Sequence, residues 1–229
     1  MEGMARRFQR LVFYFILFSC ATAWTQDIEK LRFSMWAQLE AYPGTEESLY
    51  VKDDVFLYPI SRLKATAPFF VEGMVCGWSF RYTPSDVVRG VAEEFEFQPL
   101  YPLEGLNENI SFKEPWLQDN RLYCWVEYEC SPQITAWRKH WQSSNYKKIS
   151  GKGEGLLVDG FDGIYNAAQV ALKNAVKDYA RTITKNKPRV IEGEVIIQKS
   201  PIIGIKSGRY IVELDFFLNI SKIKWYNAY

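Results

Sequence analysis

The sequence predicts an α+β fold: a mostly antiparallel sheet, one long alanine-rich helix at about residues 163–185 packed on it, and a short helix near residues 132–143. Near the C-terminus, apolar and polar residues alternate strictly from Tyr210 to Ile220, which is typical of an antiparallel sheet solvated on one face. Between Ile164 and Ile183, apolar residues recur at three- and four-residue steps, which indicates an amphipathic helix. A sheet and helices in separate stretches of chain predict the α+β class.

The long helix is bounded by Asp162, a suitable N-terminal cap, and by Pro188, which cannot continue a helix. Its apolar stripe is mostly alanine, so its backbone can approach a partner closely. We expect it to pack over Gly73 and Gly77, which share one face of a predicted strand.

The short helix is predicted from Ser131-Pro132, a capping residue followed by proline at the first helical position. Alternation and turn residues predict the strands. They are Leu31–Leu39, Tyr50–Tyr58, Phe69–Tyr82, Glu93–Leu100, Leu122–Cys130, residues 191–197 and Tyr210–Ile220, with Pro201–Gly208 connecting the last two.

The N-terminus has the pattern of a signal peptide. Arg6, Arg7 and Arg10 precede the apolar run Leu11–Phe18, which ends in small residues. A membrane-spanning helix needs roughly 20 apolar residues, so this run is too short to be one. The sequence therefore predicts an exported protein, with residues 1–23 as signal peptide and residues 24–229 as a single α+β domain.

Two processing sites compete. Ala21-Thr22-Ala23 fits an ordinary signal peptidase, with cleavage after Ala23. Leu17-Phe18-Ser19-Cys20 resembles a bacterial lipobox, which would limit the signal to residues 1–19 and leave Cys20 lipidated. Acyl chains on Cys20 would anchor the protein to a membrane. The prediction favours the lipoprotein and places the protein in the periplasm or on a membrane, with secretion as the alternative.

Composition excludes some classes of protein. The chain is 48% hydrophobic and 24% charged, as in globular proteins. Removing residues 1–23 takes away three Arg and one Glu of the 28 basic and 27 acidic residues, which leaves a net charge near −1. This balance lacks the basic excess of nucleic-acid-binding proteins, so no nucleic acid is expected as a partner.

The remaining cysteines are expected to be buried apolar residues. Cys124 and Cys130 lie on one predicted strand roughly 20 Å apart, too far for a disulfide, so any bridge would join Cys76 to one of them. Together with His140 they include zinc-ligand types, but without the close spacing of structural zinc sites. No metal or cofactor is predicted.

No catalytic site is predicted either. His140, the one histidine, has no nominated carboxylate or nucleophile and is expected on the surface of the short helix. Gly151–Gly155 resembles a phosphate loop but lacks its Ser or Thr and the spacing of its glycines, and is expected to be a flexible connection. Asp159 and Asp162 are candidates for a carboxylate pair or for calcium ligands, but Asp162 is already explained as a helix cap. The remaining acidic candidates fall on solvated strand faces: Glu127, Glu129, Glu192, Glu194, Glu213 and Asp215.

Aromatic residues are in excess, at 16% of the chain. Some of the tryptophans are candidates for an exposed platform that binds a glycan, a lipid or a protein, because amphipathic rings are common at interfaces. The candidates are Trp116, Trp125, Trp137, Trp141 and Trp225.

The order of these features resembles small bacterial envelope lipoproteins of unassigned function. Leu17-Phe18-Ser19-Cys20 is followed by strands, and the alanine-rich stretch from Asn166-Ala167-Ala168 to Asp178-Tyr179-Ala180 leads into paired strands. The resemblance covers the layout of the chain and implies a location without an activity.

The leading hypothesis is a non-enzymatic envelope protein that binds or scaffolds other envelope proteins or components. One alternative is a secreted or periplasmic hydrolase with dispersed carboxylates, indicated by a pocket with two carboxyls of shifted pKa. Another is a small-ligand carrier with a cavity between helix and sheet. An exposed aromatic or apolar patch would indicate a binding protein.

Overall fold

The computed structural model describes residues 29–43, 54–143, 145–184 and 186–226, and within them the chain forms nine strands and three α-helices. The strands are β1 (Lys30–Gln38), β2 (Trp78–Thr83), β3 (Glu94–Pro99), β4 (Ile110–Gln118), β5 (Arg121–Glu129), β6 (Lys147–Leu156), β7 (Val190–Ile197), β8 (Ile202–Lys206) and β9 (Arg209–Lys224). The helices are α1 (Leu57–Val75), α2 (Pro132–Trp141) and α3 (Phe161–Ile183). The mostly antiparallel α+β prediction is confirmed, with both predicted helices within a few residues of their expected bounds.

The strands form two antiparallel sheets. The small sheet has the order β1-β5-β4, and the large sheet has the order β3-β2-β7-β9-β6, with β8 beside the first half of β9. Alternation explains the inner face of the small sheet, since Leu122, Cys124 and Val126 of β5 are buried while Tyr123 and Trp125 between them point outward. Helix α1 contacts β1 and β5 of the small sheet, β7 of the large sheet and helix α3. One cluster of buried side chains joins these elements.

Helix α3 packs on β6 through glycine and alanine. A Cβ atom on Gly153 would overlap the backbone of Ala167 and Ala171. A Cβ atom on Gly151 or Gly155 would likewise overlap backbone atoms of α3, one turn further along the helix in each direction. The helix therefore sits too close to the strand for any side chain between them. The expectation that α3 packs over Gly73 and Gly77 was wrong, and so was the flexible connection at 151–155, which is part of β6.

Helix α1 corrects the prediction for residues 50–82. Strands were expected at Tyr50–Tyr58 and Phe69–Tyr82 with no element between them, but residues 57–75 form one helix and the strand begins only at Trp78. The buried positions, including Leu63, Ala67 and Phe70, follow a helical period, and long-range packing stabilises the helix despite Pro68 inside it. The described part of the predicted strand Tyr50–Tyr58 is turn and helix start.

Gly77 ends α1. Its φ of +80° is the left-handed conformation, and its N–H bonds to the carbonyl of Glu72 at 3.0 Å. A Cβ atom here would lie 2.5 Å from the carbonyl oxygen of Val195, so the position requires glycine on two grounds. Gly73 lies inside α1, where a side chain would collide with Trp78.

Other boundaries are set by local contacts. Ser131 caps α2 by accepting a hydrogen bond from the Ile134 N–H at 3.3 Å, as predicted. Asp162 is not the cap of α3: Gly160 occupies that position with a φ of +57°, and Asp162 lies in the first turn. Strands β4 and β8 were not predicted, since β4 contains Pro115 and β8 falls within the expected connection 201–208.

Helix α2 is associated with a second, smaller apolar cluster. Trp141 is packed there with Ile196 and Phe217, from β7 and β9 of the large sheet. The side chain of Trp137 donates a hydrogen bond to the carbonyl of Cys76 at 3.1 Å, which links α2 to the end of α1. None of the helices in the described ranges has the length and apolar character needed to cross a membrane.

Candidate functional site

An apolar groove lies between the start of α1 and the inner face of β4 and β5. Its volume is about 510 Å³, within the range of small-ligand sites. Its lining residues are Phe56, Ile60, Leu63, Lys64, Phe112, Pro115, Trp116, Leu117, Leu122 and Cys124. Nine of these ten are apolar, and Lys64 supplies the one charge.

Two periodicities bring the lining residues together. Phe56, Ile60, Leu63 and Lys64 recur at three- and four-residue steps and therefore share one face at the start of α1. Leu122 and Cys124 are alternate residues of β5 and point to the same side of the small sheet. These two faces form the opposing walls.

The third wall comes from an irregularity in β4. The register between β4 and β5 shifts between Lys113 and Trp116, and Glu114 in this interval has a φ of +48°. Such a bulge re-aims the residues that follow it. Pro115, Trp116 and Leu117, at and after the bulge, all line the groove.

The rim exposes apolar surface to solvent. Phe56 and Ile60 are each 41% exposed and Leu117 is 56% exposed. Single exposed apolar residues are ordinary in soluble proteins, but a contiguous group beside a cavity marks an interaction site. The groove is therefore the strongest candidate site among the described residues.

The chemistry of the groove is limited to apolar contact and one positive charge. Burial raises the pKa of the Cys124 thiol to about 11, so it is protonated at neutral pH and a poor nucleophile. Among the described residues that line the groove there is no carboxylate and no histidine. The arrangement suits an apolar ligand with an anionic end near Lys64.

A second, polar pocket of about 280 Å³ lies between α3 and the β2–β3 hairpin and is lined by Tyr82, Glu93 and Lys177, among others. The ammonium of Lys177, 2.7 Å from Glu93, lowers the pKa of that carboxyl to about 2. A general acid needs a raised pKa. The other described carboxyls with clearly shifted pKa also shift downward, because their side chains bond to cations or hydroxyls: Asp86, Glu192 and Asp215. Lowered carboxyl pKa values do not favour the hydrolase alternative, which needs a carboxyl of raised pKa as its general acid.

The candidate aromatic platform is divided. Besides lining the groove, Trp116 stacks its ring on Tyr123 at a distance of 5.2 Å and lies 6.0 Å from Trp125, and these two partners point outward from the small sheet. The guanidinium of Arg32 lies 4.6 Å from the Trp125 ring, so part of this face is already covered. Trp137 and Trp141 pack in the α2 cluster, and Trp225 is 50% exposed elsewhere.

The remaining candidate residues are dispersed. Cys20 and Ala23 lie outside the described residues. Cys76, Cys124 and Cys130 are free and buried, as expected. His140 is exposed on α2 with its Nε2 atom 2.6 Å from the Tyr146 hydroxyl. Within the described ranges, no group of three or more His, Cys, Asp or Glu is placed to hold a metal.

The acidic candidates behave as surface charges. Several pair with cations on neighbouring positions of the sheets, as Glu127 does with Arg32 and Glu213 with Lys152. The pairs Lys30–Glu129 and Lys224–Glu192 follow the same pattern, and Asp215 pairs with Lys199 in the connection between β7 and β8. Asp159 lies in the short turn before α3. Neither of the pockets described above is lined by Asp159 together with Asp162.

Sequence reasoning missed the groove because it assigned no element to residues 59–68, which form the first half of α1, and because it omitted β4. One signal was available. Leu57, Ile60, Leu63 and Ala67 are spaced by three and four residues, which indicates a helix with one apolar face. The alternation from Phe70 to Tyr82 masked this pattern.

Comparison with known proteins places the chain in a family without suggesting an activity. It is 27% identical over 197 residues to an uncharacterised protein of Treponema pallidum (strain Nichols), an alignment that covers 85% of this chain and 81% of the Treponema protein. No solved structure matches the chain. A protein-family model matches residues 19–226, and the chain therefore belongs to that family, whose function is unknown.

Proposed function

We propose that this protein is an exported, non-enzymatic binding protein of the cell envelope, which holds the hydrocarbon part of an amphipathic anion in the groove between α1 and the small sheet. The observation that carries the proposal is the groove itself: about 510 Å³, nine apolar lining residues and one cation. It combines the binding role predicted from the sequence with the small-ligand carrier that was its alternative.

Apolar contact supplies the binding energy. Each buried methylene contributes about 0.8 kcal/mol, so a ligand needs an extended apolar body rather than many polar groups. A chain-like ligand matches a groove that is walled by Ile60 and Leu63 on one side and by Phe112 and Leu122 on the other. Covering Phe56 and Leu117 at the rim adds to the gain, because both side chains are exposed to solvent.

Lys64 selects the head group. It is exposed on α1 at the groove, where its ammonium can pair with a carboxylate or phosphate of the ligand. Since the described lining residues include no carboxylate, a cationic ligand would gain no ion pair there. A fatty acid is the simplest molecule with this chemistry and serves as the probe.

The test is a titration of the full chain with a fluorescent fatty acid below its micelle concentration. Ile60→Trp places a large ring in the groove and is expected to weaken binding at least about tenfold, a change of 1.4 kcal/mol or more. Ile183→Trp is the matched control, since Ile183 is also on a helix and is 42% exposed against 41% for Ile60. Equal affinity of both variants and wild type would overturn the proposal.

Lys64→Gln tests the head-group role separately. It is expected to weaken binding of the fatty acid but not of the fatty alcohol of equal chain length, because only the acid carries a charge at neutral pH. A loss that is equal for both probes would mean that Lys64 does not select the anion.

The exported location rests on Arg6 to Arg10, the apolar run Leu11–Phe18 and Cys20. Intact mass of the protein from its native host, with its distribution between membrane and soluble fractions, tests it. A mass that begins at Cys20 with added acyl chains supports a lipoprotein, and one that begins at Trp24 supports a soluble exported protein. A mass that retains Met1 would contradict export.

A further inference from the structure

One end of the large sheet brings three segments together. These are the hairpin turn Val87–Gly90 between β2 and β3, residues 186–189 before β7, and residues 224–226 at the end of β9. The Arg89 guanidinium lies 4.5 Å from the Tyr226 ring, and the Lys187 ammonium donates to the carbonyl of Ser85 at 2.9 Å. The Arg189 N–H bonds to the carbonyl of Lys224 at 2.8 Å. We call this surface the basic end.

Two valines form the apex of the basic end. Val87 is 89% exposed and Val88 is 94% exposed, more than any other large apolar side chain in the described residues. Neither side chain packs against the rest of the protein, so a contribution to the hydrophobic core does not explain why apolar residues stand at these two positions. Two adjacent apolar side chains at a protruding tip offer contact area to something outside the chain.

The turn that holds these valines is well braced. The Asp86 carboxylate accepts hydrogen bonds from the N–H groups of Val88 and Arg89 at 3.1 and 3.3 Å, and its second oxygen lies 2.7 Å from the Arg89 guanidinium. Asp86 and Val91 form a β-bridge beneath the turn. The valines are thus presented by an ordered hairpin, which lowers the entropy lost when they become buried.

The basic end carries unpaired cations. Lys187 and Arg189 are exposed, and neither forms an ion pair with a carboxylate of the described part of the chain. The Asp86 charge is already balanced by Arg89. Trp225, 50% exposed, adds an amphipathic ring to the same end. The basic end is therefore locally positive on a protein whose overall charge is close to zero.

We infer that the basic end docks on an anionic lipid surface, with Val87 and Val88 inserted among the headgroups and Lys187 and Arg189 against the lipid phosphates. Surface binding of this kind combines buried apolar area with attraction to anionic lipids, and tryptophan is enriched at the membrane interface. A convex tip suits a soft bilayer, which needs no complementary pocket. The inference goes beyond the ligand groove and does not depend on it.

A local probe tests the inference without interference from the N-terminal apolar segment. In the full chain carrying Cys20→Ser, Val87→Cys is labelled with an environment-sensitive fluorophore, since the three other cysteines are buried. Val158→Cys is the control, because Val158 is also exposed, at 56%. It follows β6, and the last residue of β6 pairs with the first residue of β9. Position 158 is therefore at the opposite end of the sheet from Trp225.

The label at position 87 is expected to shift to the blue and brighten several-fold with phosphatidylglycerol vesicles, and to change little with phosphatidylcholine vesicles. High salt and the double change Lys187→Glu with Arg189→Glu should both reduce the response, because each weakens attraction to the phosphates. The label at position 158 should respond much less to either vesicle. Thermal unfolding of each labelled variant checks that it is folded.

A response at position 87 that is equal for both vesicle types would overturn the inference, and so would an equal response at position 158. No response at position 87 in a folded variant would overturn it as well. Fatty-acid binding in the groove is measured without vesicles and through Ile60, so failure of one proposal leaves the other standing.

Discussion

Helix α3 on the large sheet and helix α1 on the small sheet show two results of packing a helix against strands. At α3 the facing residues are Gly151, Gly153 and Gly155 on β6 and mainly alanines on the helix, and the two backbones meet. At the start of α1 the facing residues are large, among them Phe56 and Leu122, and a groove of about 510 Å³ remains between them.

The difference shows how side-chain size decides whether such an interface closes. Small residues on both sides let the backbones approach until no space is left. Large side chains on α1 hold helix and sheet apart, and they fill the gap only where their shapes match. A binding site can therefore form where packing is incomplete, without any catalytic residue nearby.

The largest expected effect comes from the same substitution on the two helices. Leu172 on α3 is fully buried and Leu63 on α1 is 3% exposed. Leu172→Ala leaves a closed cavity and is expected to lower the free energy of unfolding by about 4 kcal/mol. Leu63→Ala only enlarges an open groove, so about 2 kcal/mol is expected. Urea denaturation of both variants measures the difference, and equal losses would contradict the contrast between the two interfaces.

The next effect concerns the close approach at β6. Gly153→Ala puts a methyl group into the backbone of α3, and the loss is expected to be about 3 kcal/mol, since overpacking forces backbone shifts. Gly204→Ala is the control, because Gly204 also lies in a strand and has open space around its Cα. A thermal-unfolding midpoint that falls equally in both variants would show that the effect is not one of contact with α3.

A smaller effect is expected at the ionic contacts that fix α3 to the β2–β3 hairpin. Glu93 lies 2.7 Å from Lys177 and 3.3 Å from Lys173, and it accepts a hydrogen bond from the Tyr82 hydroxyl at 3.0 Å. Its pKa falls from 4.5 to about 2, so its stabilisation is complete above pH 4.5 and is lost as the pH falls toward 2. Glu93→Gln should cost on the order of 2 kcal/mol at pH 7 after allowance for partial exposure.

The same variant should also flatten the decline in stability between pH 4.5 and pH 2, because the titrating group is gone. Glu94→Gln removes the neighbouring exposed carboxylate and serves as control. Chemical denaturation across this pH range measures both. An unchanged acid decline in Glu93→Gln would mean that the ion pairs with α3 do not contribute.

Elements with an uninterrupted pattern were predictable. Helix α3, helix α2 and strands β1, β3, β5, β7 and β9 all lie close to their expected bounds, because each alternates or repeats along its whole length. Helix α1 was not predictable from its pattern, because Pro68 stands inside it and the alternation from Phe70 onward matches a strand as well. Strand β6 was missed because its three glycines, typical of a loop, serve the contact with α3.

The groove was beyond prediction for a different reason. Its lining residues come from α1, β4 and β5, which are separated by up to about seventy residues in the chain, and no short motif connects them. Even a correct assignment of all three elements would leave open whether Ile60 and Leu117 meet or stay apart. That depends on how two layers of large side chains fit together.

The α+β class, the alanine face of α3 and the burial of Cys76, Cys124 and Cys130 were predictable, because they follow from local periodicity and from the apolar character of each residue. Three features emerged only once the chain was folded: α3 faces the glycines of β6, α1 stands off the small sheet to leave a groove, and Val87 and Val88 protrude beside Lys187 and Arg189. Contacts between distant segments depend on the combined shapes and charges of both partners, and no single stretch of sequence contains these.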